Sequence, residues 1–130
     1  MNIKLTILNS FFFISLITVL LFNRLLAQYY IVGYYLYLII VTIPLFILQF
    51  ISISIFSTRI KKKAPNIFSQ ACKRPNGSRG RSINVSALFD ESIPFSEMKE
   101  QHLINEWNYT KRVVIYSMLS FIILIILYFI

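Results

Sequence analysis

Side chains able to do chemistry are few in this chain. It holds one histidine, His102, and one cysteine, Cys72. Its five carboxylates, Asp90, Glu91, Glu97, Glu100 and Glu106, share one window, so the first 89 residues hold none. A zinc site needs several donors, and covalent catalysis needs a nucleophile beside a base; His102 by itself makes neither. A lone Cys closes no intrachain disulfide. These residues predict a protein that is not an enzyme and carries no metal or cofactor.

Positive charge is what the chain has in excess, with 13 Lys and Arg and a net charge of +8. Eight of those bases lie between Arg59 and Arg81 with no acid among them. Lys and Arg beside the end of a membrane helix gain about 1 kcal/mol each from anionic lipid headgroups. Arg59, Lys61, Lys62, Lys63, Lys73, Arg74, Lys111 and Arg112 are therefore the expected lipid contacts. Nucleic acid is not an expected partner, because the tract lacks the interleaved aromatic residues that stack bases. Phosphorylation of Ser82, three residues after Arg79, would weaken the attraction to lipid.

Beyond the basic tract the sign inverts. From Asp90 to Glu106 five acids face only Lys99. Phe95, Met98, His102 and Trp107 recur there every three to five residues, after a Pro94 able to open a helix. This spacing predicts an amphipathic surface helix over 93–108, with those four side chains as a face for docking another protein.

The elements that must carry these groups follow from hydropathy. The chain is 57 % hydrophobic and 14 % charged, against about a quarter charged in soluble domains. Leu5 to Leu26 is apolar on every face, with Asn23 and Arg24 near its far end, and about 20 apolar residues span a bilayer. A second run, Tyr29 to Thr58, follows almost at once. One straight helix over both would extend about 80 Å, beyond the 40–45 Å of a bilayer with its headgroups, so the chain must reverse near Asn23 to Tyr30. Tyr29, Tyr30, Tyr34, Tyr35 and Tyr37 then anchor one interface. Pro44 removes a backbone donor in mid-run and predicts a kink. The final run, Val113 to Ile130, is 18 residues long, just enough to span.

The fold class read from this pattern is an all-α membrane protein with three transmembrane helices. A tight N-terminal hairpin (5–26 and 29–58) is followed by a basic, largely irregular loop (59–92), the surface helix (93–108) and a C-terminal span (113–130). More bases flank the loop than the short connection, which places the loop and the N-terminus on the cytoplasmic or matrix side and the C-terminus opposite. Asn76, Asn84 and Asn108 match the N-glycosylation pattern, which would place the loop outside, but the charge asymmetry outweighs a three-residue motif. The first apolar run exceeds the 7–15 residues of a signal-peptide core, so it is read as a retained span.

The run Leu88-Phe89-Asp90-Glu91-Ser92-Ile93, followed about twenty residues later by Lys111 and a terminal helix bearing Tyr, resembles the end of cornichon-type cargo receptors. The resemblance covers about a third of the chain. It departs from that family in its short first connection and in the basic tract from Lys61 to Arg81. What it implies is a cargo receptor or adaptor of the secretory pathway.

From the residues alone, the first expectation is an accessory or assembly subunit of a larger membrane complex, with membrane-protein partners or further copies of itself. A small oligomeric channel, lined by Asn9, Gln49 and serines, is the other alternative. No charge lies inside the apolar runs apart from Arg24 near the end of the first, which argues against a proton pathway.

Overall fold

Long runs of apolar residues leave the backbone N–H and C=O groups to pair with each other, and a helix pairs them locally. The computed structural model describes residues 3–73, 80 and 82–129, and among these it is helical with no strand. Three helical stretches are long and apolar enough to cross a membrane: Ile3–Leu25, Ala27–Lys63 and Gln101–Phe129. Helix α1 (Ile3–Leu25) ends with Arg24 in its last turn, a favourable charge for the carbonyl end of the helix dipole. A single 3₁₀ turn, Ala27–Tyr29, reverses the chain.

The second stretch comprises α2 (Tyr30–Tyr37), a π-helical segment (Leu38–Thr42) and α3 (Ile43–Lys63). Pro44 has no N–H to donate, and its ring crowds the carbonyl four residues back. The chain answers with a widened turn, in which Ile43 N–H donates to Leu38 C=O, five residues back. Lys61, Lys62 and Lys63 close α3 at its carbonyl end. Ala64 leaves helical geometry, as a residue before proline tends to, and Pro65 opens α4 (Pro65–Ala71).

Two expectations about the loop are corrected. Among the described residues, 59–92 is not largely irregular: α3 runs to Lys63, α4 follows, and Val85–Phe89 is a 3₁₀ turn. Nor is there a separate surface helix over 93–108. Phe95–Glu97 forms a 3₁₀ turn, and one helix, α5, then runs unbroken over Gln101–Phe129. No Gly or Pro interrupts that stretch, so the change from polar to apolar at Lys111 and Arg112 does not disturb the hydrogen-bond ladder.

The chain divides into two compact units. The first contains Met1–Gln49 and Arg112–Ile130. Here α2 approaches α1 at the buried Gly33, where an added Cβ would stand 2.7 Å from the Phe22 ring. Phe12 stacks on Tyr116 with ring centres 4.2 Å apart, and Phe46 meets Phe121 edge to face at 6.4 Å. The unit is inside-out by the standard of soluble proteins. Ile14, Ile17 and Leu20 on α1 are more than half exposed, whereas Thr42, Gln49, Ser117 and Ser120 are buried.

The second unit is Phe50–Lys111. Its core gathers Phe56, Ile60, Leu88, Phe95 and Leu103, all buried. Phe95 lies 5.8 Å from Phe56 and stacks on Trp107 at 5.4 Å. Backbone bonds from Gly80 to Cys72 C=O and from Asn84 to Ala71 C=O tie the following segment back to α4. Ile83 N–H donates to Ser57 Oγ on α3.

Candidate functional site

The charged end of α3 is where the predicted residues converge. Arg59 pairs with Glu106 on α5, and one turn on, Lys63 Nζ donates to Glu100 Oε2 at 2.9 Å. His102 Nε2 lies 3.1 Å from the same Glu100 oxygen. The bond from Lys63, aided by the charges of Lys63 and His102, holds the Glu100 carboxyl below its ordinary range. Spaced four apart, Arg59 and Lys63 share a helix face, and that face meets Glu106 of α5 and Glu100 just before it. Lys61, between them, turns instead toward α4, its Nζ 6.0 Å from the centre of the Phe68 ring. Lys111 covers Trp107 at 3.9 Å, a cation–π contact. Lys62, Lys73 and Arg112 are exposed. Arg74 lies outside the described residues, as do Arg79, Arg81 and Asn76.

The predicted docking face meets a different end. Phe95 and Met98 are buried in the second unit's own core. Trp107 donates its indole N–H to Leu88 C=O at 3.0 Å. Only His102 of the four remains exposed. An apolar stripe has the same spacing whether it covers a partner or its own chain, and here the fold covers it.

Leu88 to Ile93 is a braced turn. Leu88 is buried, and both the backbone N–H and the hydroxyl of Ser92 donate to Asp90 Oδ1, at 2.9 and 2.7 Å. Those two bonds hold the Asp90 carboxyl below its usual range. Asn84 uses its side chain to accept from Ser86 N–H at the head of the 3₁₀ turn. Burial pushes the Cys72 thiol up, an effect partly opposed by the charge of Lys61. No three of His, Cys, Asp and Glu come together as a metal site would need, among the described residues.

The chain matches no protein-family model, no curated protein and no solved structure.

In the first unit the polar residues form a hydrogen-bonded seam. Tyr116 OH donates to Asn9 Oδ1, Ser117 Oγ to Gln49 Oε1, and Ser120 Oγ to Ser117 C=O at 2.8 Å. Asn9 and Gln49, named above as channel lining, are thus engaged between helices. Tyr116 escaped the sequence reading, and Ser117 and Ser120 entered it only as unnumbered serines, although the three recur at the helical spacing of one stripe. Tyr37 OH and Thr42 Oγ1, at either end of the π segment, are buried with no hydrogen-bond partner among the described residues.

Proposed function

We propose that this chain is a three-span integral membrane protein that acts without catalysis, as an accessory or assembly subunit bound to other membrane proteins. The observation that carries the reading is the inverted burial of the first unit. Apolar side chains face outward on helices of bilayer length, while amides and hydroxyls pair between the helices. Such pairing is what joins helices where no water competes and lipid supplies no hydrophobic drive. The bases around 59–63 and 111–112 favour a cytoplasmic or matrix side for the residues between the second and third spans. Solubilisation in mild detergent, a native gel and mass spectrometry of the co-migrating proteins test the proposal. A large complex of fixed stoichiometry supports it; a free 15.3 kDa chain or a small homo-oligomer overturns it.

A second reading, an adaptor like the cornichon-type cargo receptors, draws on the braced turn at Leu88 to Ile93. An adaptor would exchange partners, so cross-linking at successive times would recover changing neighbours where a subunit recovers the same ones.

A further inference from the structure

The second unit contains a cavity of about 330 Å³ lined from α3, α4 and Ser82. On α3 its lining descends one helix face: Phe50, then Ser54, then Thr58, then Lys61. Phe50 and Lys61 stand eleven residues apart, about 16 Å along the helix. The face therefore grades from apolar through hydroxyl to ammonium over the length of a glycerol backbone with its phosphate and the first carbons of an acyl chain. Phe68 of α4 forms the opposite wall beside Lys61.

Charge completes the argument. Of the α3 cations here, Arg59 has a carboxylate partner on α5 and Lys63 has one in Glu100 just before it, and Lys61 has none among the described residues. No acid lines the cavity. Thr58 Oγ1 donates to Ser54 C=O, but the Ser54 and Ser82 hydroxyls have no partner among the described residues and remain able to donate. A lysine and free hydroxyls in an acid-free cavity are a donor set for phosphate oxygens. The apolar end, formed by Phe50 and Ile53, suits hydrocarbon and not a free ion.

We propose that this cavity binds the phosphate of an anionic phospholipid, with Lys61 as its cation, Ser54 and Ser82 as hydroxyl donors, and Phe50 and Ile53 against the acyl chain. The inference rests on reading the apolar helices as membrane spans and deepens the expectation of lipid contact by confining it to one lysine of the tract.

The experiment reconstitutes the full chain in nanodiscs of four parts phosphatidylcholine to one part phosphatidylglycerol and counts lipids retained after release, by native mass spectrometry. The expected result is about one phosphatidylglycerol per chain, retained about fivefold less by Lys61→Ala and unchanged by Lys62→Ala, which removes the same charge elsewhere on the tract. Ser54→Leu, which fills the cavity without touching charge, should also reduce retention, and near-equal thermal midpoints show that the variants fold. Equal losses in Lys61→Ala and Lys62→Ala would mean diffuse surface attraction and overturn the site. Displacement by 10 mM inorganic phosphate would assign it to the free anion and overturn the lipid. Carbonate extraction of membranes separates the two readings: release into the soluble fraction defeats the membrane reading itself, whereas a pelleted chain with no dependence on Lys61 defeats only the site.

Discussion

The two units are held by opposite means. In Met1–Gln49 with Arg112–Ile130, neutral groups join the helices: the Phe12–Tyr116 stack, the Tyr116–Asn9 and Ser117–Gln49 hydrogen bonds, and the close approach at Gly33. In Phe50–Lys111, an aromatic core is ringed by charge, and all the ion pairs among the described residues fall there. Under the proposed membrane placement, the difference teaches what each surrounding permits. Unpaired charge is costly in hydrocarbon, so amides and hydroxyls serve as the directional links. Where water is at hand, exposed ion pairs add little, and the burden falls on apolar packing.

The sharpest way to break the comparison is Phe95→Ala. Removing a ring buried between Phe56 and Trp107 should cost about 3–5 kcal/mol. Limited proteolysis in detergent should then cut within 64–100 first. In the first unit, Gly33→Ala forces the Phe22 ring aside, with an expected cost of about 1–2 kcal/mol after the gain in helix propensity. Thermal unfolding in detergent reads that loss, and Gly33→Ala combined with Phe22→Ala should recover part of it.

A double-mutant cycle of Gln49→Leu and Ser117→Ala sharpens the contrast at lower magnitude. Coupling of about 0.6–1.7 kcal/mol is expected, the range for such bonds in membrane proteins, and it should be insensitive to salt. The smallest effect belongs to the charged rim. Because Glu100 is held below its ordinary value of 4.5, its link to Lys63 is fully present above that pH. The contribution is lost as pH falls through the lower folded value. The thermal midpoint should therefore fall with acid in the wild type and lose that component in Glu100→Gln.

Much of the fold was legible because uncharged runs of bilayer length are hard to read otherwise. Leu5 to Leu26 and Tyr29 to Thr58 announce their helices, and the near absence of residues between them forces the reversal that Ala27–Tyr29 makes. The second unit was less legible, for definite reasons. Its 3₁₀ turns at Val85–Phe89 and Phe95–Glu97 are too short to have a period. The stripe of Phe95, Met98 and Trp107 has one spacing and two possible covers. Lys61 reads like its neighbours in a basic run, and only the direction taken by each side chain sets it apart from Arg59 and Lys63.

The π-helical segment before Pro44 also governs phase. The buried positions Gly33, Tyr37, Val41, Leu45 and Gln49 advance by four residues, and each such step carries a regular α-helix about 40° past a full revolution. Left uncorrected, four steps would swing Gln49 well round the helix from Gly33. The wide turn at Leu38–Thr42 absorbs one surplus residue, about 100° of rotation, and returns Gln49 toward Ser117. A residue deleted inside the wide turn would keep both flanking faces aligned, but at the cost of pressing the Pro44 ring against the carbonyl four residues back. The same deletion between Ile43 and Gln49 rotates the amide off its partner.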